Sequence, residues 1–104
     1  MKNITEPYEK GLKEDLADPA EAAEYLNAAL EDGSQEVFLL ALKDVANARG
    51  ITEISRLTNL NRENLYKILS IKGNPKLTSL NSVLQSMGLK LAVKVDNRQI
   101  ASLN

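Results

Sequence analysis

Apolar positions along the chain recur at helical spacing over most of its length and switch once, near the end, to alternation. Ala22, Ala23, Leu26, Ala29 and Leu30 fall on one side of a predicted helix. Asp18 can cap it, Pro19 suits its first position, Glu21 adds an acidic first turn, and Gly33 ends it. Ser34 opens a second helix whose expected inner face is Val37, Leu40, Ala41, Val45 and Ala48 and whose stop is Gly50. A third helix is expected over 52–58 and a fourth over 62–70, capped by Asn61. After the turn Gly73-Asn74-Pro75, a fifth follows Thr78 with Leu80, Val83, Leu84 and Met87 at i, i+3, i+4, i+7, and stops at Gly88.

Beyond Gly88, "LKLAVKV" places Leu89, Leu91, Val93 and Val95 on one face and Lys90, Ala92 and Lys94 on the other. This is the pattern of a β-strand over 89–95 with one dry face. The chain has no second convincing strand, so the same segment of another copy is the simplest partner, and Leu89, Leu91, Val93 and Val95 become the candidate dimerisation residues. The reading is an all-α domain of five short helices with a short C-terminal strand. Residues 1–17 stand apart from residues 18–104: Ile4, Tyr8, Leu12 and Leu16 make a stripe at spacing four, interrupted by Pro7 and Gly11, which predicts an arm that orders on contact.

The three-residue break Asn59-Leu60-Asn61 is tighter than a small bundle needs. In a helix-turn-helix the second helix presents its outer face to the major groove while its inner face packs on the first, so the joint must be short and fixed in angle. Ile54, Ser55, Leu60, Leu65 and Ile68 supply the inner contacts, with Ser55 small where the helices cross. Asn59 stands where a left-handed residue is wanted, which asparagine tolerates well.

That arrangement leaves Asn61, Arg62, Glu63, Tyr66 and Lys67 outward on the fourth helix, with Asn64 at its flank. Amides and guanidinium groups make paired hydrogen bonds to adenine and guanine edges, and a carboxylate can accept from cytosine. Lys72, Asn74 and Lys76 follow within reach of a phosphate backbone, and Thr52 and Thr78 offer donors near two helix starts.

Charge sharpens this division. The formal net charge is only −1, yet residues 1–50 carry five Lys/Arg against eleven Asp/Glu, net −6, and residues 51–95 carry seven against two, net +5. An acidic half and a basic half point to two partners of opposite character, the basic half being the candidate for phosphate. Two differently solvated faces would show the same imbalance. The sequence has no cysteine and no histidine, which removes disulfides, thiolate chemistry and the commonest general base and metal ligand. The carboxylates Glu14, Asp15, Asp18 and Glu21 straddle a helix start without a basic or aromatic complement, so they read as a solvated cap. A non-enzymatic protein without cofactor or metal is expected. The start "MKNITEPYEK" lacks a secretory pattern and the longest apolar run is far too short for a bilayer, so a cytoplasmic location without membrane contact is the default.

Residues 18–93 also resemble a known family. The phrases "AEYLNAALEDG", "VFLLALKDVANARG", "LYKILS", "GNPKLTSL" and "MGLKL" are similar as a set to the addiction-module antidote proteins, the HigA-like antitoxins with a Cro/repressor-type, lambda-repressor-like helix-turn-helix. The resemblance implies a type II antitoxin that neutralises a cognate RelE/ParE-like toxin and represses their shared operon by binding operator DNA, and the pairing expected of residues 89–95 would make it a homodimer. By position it places Thr52 where glutamine often touches phosphate, and Asn61, Arg62, Glu63, Tyr66 and Lys67 on the recognition helix. Asn59 replaces the glycine common in the wider class, and Ser55 its alanine. No motif gives the toxin site. A toxin of this kind is expected to be basic, so the acidic half would steer it and apolar anchors would hold it; Tyr8, Leu12 and Leu16 are the candidates, bordered by Glu9, Glu14 and Asp15. The alternatives are an interaction module whose helix-turn-helix has lost its DNA role, or a regulator that acts without a toxin.

Overall fold

The computed structural model describes residues 15–70 and 72–97, and these are helical apart from turns and the C-terminal segment. Residues 15–17 are helical and lead into α1 (Pro19–Glu31), followed by α2 (Gln35–Arg49), α3 (Ile51–Thr58), α4 (Arg62–Ile68) and α5 (Leu77–Ser86). Three starts are closed by the expected side chains. Asp18 Oδ2 accepts from the Glu21 N–H at 3.2 Å, Ser34 Oγ from Val37 N–H at 3.3 Å, and Asn61 Oδ1 from Asn64 N–H at 2.8 Å. Each satisfies a backbone donor that the helix itself cannot.

α1 and α2 form an antiparallel hairpin, and α3 contacts α2, α4 and α5. The core is one cluster, with Leu39, Leu42, Val45, Ile54, Leu65, Leu69, Val83 and Met87 essentially inaccessible. The inner face of α2 differs from expectation. Leu39, Leu42 and Ala46 are buried beside Ala41 and Val45, whereas Val37 and Leu40 are exposed. The run "VFLLAL" supports two apolar faces, and α2 is touched by both α1 and α3, so the buried sector is wider than one stripe and rotated away from Leu40. Leu30, expected inside, is likewise 55% exposed at the end of α1.

Leu16 is only 4% exposed and belongs to the core cluster, and the Arg49 guanidinium donates to the Ala17 carbonyl at 3.1 Å. The domain therefore begins before residue 18 in packing terms, and Leu16 is not an apolar side chain held in reserve. Tyr8 and Leu12 lie outside the described residues.

The strand expected over 89–95 is not formed in the single chain. Leu89 is half-buried and its N–H donates to the Leu84 carbonyl at 2.9 Å, but residues 90–95 make no hydrogen bond to any described residue. A strand exists only as part of a ladder, and no described segment of the same chain supplies one. Val93 is 100% exposed and Val95 69%.

Candidate nucleic-acid interface

The joint between α3 and α4 is built from side chains as much as backbone. Asn59 adopts φ 62°, ψ 16°, the only positive-φ residue other than glycine among those described. Its neighbours tie the turn down. The Ser55 hydroxyl donates to the Leu60 carbonyl at 2.5 Å, Thr58 Oγ1 donates to the Ile54 carbonyl at 2.7 Å, and the same oxygen accepts from Leu60 N–H at 3.2 Å. Ser55 is thus more than a small residue at a crossing; an alanine there would leave the Leu60 carbonyl unanswered. Leu65 and Leu69 hold the inner side of α4 in the core, with Ile68 half-buried against it.

All eleven residues singled out for DNA, from Thr52 to Thr78, are exposed. The structure gathers six of them into two groups. At one end, the Arg62 guanidinium donates to the Thr52 hydroxyl, so the first turns of α3 and α4 are joined by two of the named side chains. At the other, Asn64, Lys67, Asn74 and Lys76 line a shallow groove floored by Leu60, Ile68 and Pro75. Ser79 of α5 completes that rim and was not anticipated, because nothing in its local sequence distinguishes it from any other helix serine. Glu63 and Tyr66 are exposed on α4 outside the groove, and Asn61 engages its side-chain oxygen in the helix cap, with its NH₂ not used there.

Two helix starts lack a side-chain cap: α3, preceded by Gly50, and α5, preceded by Lys76. Thr52 and Thr78 sit in the first turns of these two helices, where free backbone N–H groups can meet an anion. Elsewhere on α3, Arg56 is spent internally. Its guanidinium bonds both oxygens of Glu53, at 2.5 and 3.2 Å, and that hydrogen bond first, with the attraction of the charge, draws the Glu53 carboxyl below its ordinary value and raises Arg56. Both groups are solvated, so the pair adds little to stability and mainly removes one cation from the surface.

The loop carrying Lys72, Asn74 and Lys76 is fixed at Gly73. Its N–H donates to the Ser70 carbonyl at 2.7 Å, and its carbonyl accepts from Gln35 Nε2 at 3.0 Å, a bond from the start of α2 that spans 38 positions and has no sequence signal. A Cβ on residue 73 would lie 2.9 Å from the carbonyl oxygens of both Lys67 and Ser70. Gly73→Ala should therefore cost about 1–3 kcal/mol, the usual range for overpacking, and displace the lysines on either side. Urea unfolding checks the first part; a midpoint and slope equal to wild type would show that the loop has room to relax.

Among the described residues there is no group of three or more carboxylates placed to hold a metal ion, and no helix is long and apolar enough to cross a membrane. No solved structure matches the chain. An uncharacterised protein of Haemophilus influenzae is 37% identical over 81 residues, which cover 78% of this chain and 84% of that protein. A family model described as "Probable addiction module antidote protein" matches residues 8–95, from within the N-terminal arm to the end of the alternating segment. With most of its length matched, the chain belongs to the family of probable addiction module antidote proteins.

Proposed function

We propose that the chain is the antitoxin of a type II module which binds a RelE/ParE-like toxin by protein contact and represses its own operon through a lambda-repressor-like helix-turn-helix. The observation that carries the DNA part is the exposed amide and cation surface of α4 and the following loop, held on a joint with every turn residue bonded. Homodimerisation through residues 89–95 would present two α4 helices to major-groove segments about 34 Å apart, so the operator should be an inverted repeat with half-sites near one helical turn. A gel-shift titration of the full chain on the DNA upstream of its reading frame tests this. Salt-sensitive binding that survives excess unrelated DNA is expected; equal affinity for both DNAs would leave the protein without an operator.

The toxin contact is assigned to the arm, with Tyr8 and Leu12 as anchors, while Leu16 serves the core instead. The informative truncation therefore removes residues 1–14 and keeps Leu16. It should weaken toxin binding by about tenfold or more, a loss of about 1.4 kcal/mol, and leave operator affinity within twofold. An isothermal titration showing unchanged toxin affinity would move the site to the exposed side of α1 at Glu21 and Glu24, beside Tyr25, whose hydroxyl donates to Asp44 at 2.8 Å.

A further inference from the structure

We propose that two copies of the chain pair along residues 90–96 in one definite register, with Val93 on the two-fold axis and Lys90 of each copy opposite Asp96 of the other. The proposal rests on the dimer part of the functional reading above and says which contact makes it. Residues 90–95 leave the core at Leu89 and carry backbone donors and acceptors that no described residue answers, on a segment whose odd positions are apolar. Val93 is fully exposed, and Val95 largely so. An isolated apolar edge of this kind is a template for another strand, and an identical copy matches it by construction.

Charge then chooses among the registers. In a two-fold antiparallel pair, residues directly opposite share a face, so the axis must pass through one residue position. Centring on Ala92 sets Lys90 against Lys94 of the other copy, twice, and centring on Lys94 sets that lysine against itself; like charges in these positions oppose pairing. Centring on Leu91 would draw Gly88 into the ladder, yet Gly88 has φ 79° at the end of α5, outside the extended region. Centring on Val95 sets a lysine, Lys94, against Asp96, twice, but it would pair Val93 with Asn97, which is helical rather than extended. Centring on Val93 sets Lys90 against Asp96, twice, and Ala92 against Lys94. It also brings Val95 of one copy opposite Leu91 of the other. Leu91 lines a groove with Leu26, Leu30 and Phe38, to which Lys90, Ala92 and Lys94 of the same segment also contribute, and the incoming Val95 would lie beside Leu91 at the edge of that groove.

The chain has no native cysteine, so single-cysteine variants report the register cleanly. Val93→Cys changes a fully exposed residue and should leave the fold intact, which circular dichroism checks. Under mild oxidation the full-length Val93→Cys variant should cross-link to a covalent dimer at least tenfold faster than Ala92→Cys. In analytical ultracentrifugation, Lys90→Glu and Asp96→Lys should each raise the dimer dissociation constant several-fold, and the double variant should restore it. Wild-type chain sedimenting as a monomer throughout the accessible concentration range would remove the dimer and the register with it. A wild-type dimer in which Ala92→Cys cross-links faster, or in which the charge swap fails to rescue, overturns the register alone. Neither result depends on DNA or toxin.

Discussion

Leu65→Ala is expected to lower the stability of the chain by about 2–5 kcal/mol, the range for emptying a fully buried leucine site. Leu65 is 0% exposed and, with Leu69, is one of two fully enclosed side chains that hold α4 and its final turn. α4 is seven residues long, too short to persist as a helix without tertiary contacts. The cavity would lie beneath the proposed recognition surface, between that helix and the core residues it packs on. For a small domain with about 5–15 kcal/mol in total, this is a large fraction, and each kcal/mol lost should lower the melting temperature by about 4–8 °C. Tyr66→Ala, one position along and exposed, should cost no more than about 0.5 kcal/mol. Thermal and urea melts of the two variants decide it. A Leu65→Ala protein as stable as Tyr66→Ala would mean that α4 is not anchored where the core cluster places it.

Local chemistry made much of this fold legible. Asp18, Ser34 and Asn61 read as caps because a short polar side chain before an apolar-periodic run has one stabilising use there, and each makes the expected bond. Asn59 read as left-handed for an equally local reason, and so it is. The alternation over 89–95 was legible as a pattern, but a strand needs a ladder, and no described segment of the chain supplies one.

What sequence hid is what depends on distant residues. The burial of Leu16 needs the body of the core, so a stripe interrupted by Pro7 and Gly11 could be taken for a free arm over its whole length. The bond from Gln35 to Gly73 joins the start of α2 to a surface loop, and neither residue type signals the other. The face of α2 went astray because six consecutive, mostly large apolar residues leave the period undetermined until both neighbours are in place. At the candidate site the same division holds. Which side chains face outward on α4 followed from which ones face inward, whereas the link between Arg62 and Thr52 and the groove shared by Asn64, Lys67, Asn74 and Lys76 are consequences of the packing angle.

Arg62→Ala should weaken operator binding by about 1–3 kcal/mol, roughly 5- to 150-fold, and relax the preference at a single base pair. Arg62 is the first residue of α4, and its guanidinium rests on the Thr52 hydroxyl in the free chain, so the fork is already held across the entrance of the two helices. Handing its donors to a guanine edge exchanges one hydrogen bond to a hydroxyl for two to a base, which makes the gain specific to that base. Lys76 is a different kind of contact. It precedes α5 on the rim of the groove, where a point charge meets phosphate whatever the sequence beneath. Lys76→Ala should therefore weaken all DNAs alike and reduce the slope of log K against log salt by about one. Titrations of both variants against the operator and single-base mutants, at two or more salt concentrations, separate the roles. If Arg62→Ala kept wild-type base preference while losing affinity uniformly, Arg62 would be a phosphate contact, and base reading would fall to Lys67, Tyr66 and Asn64 further along the same helix.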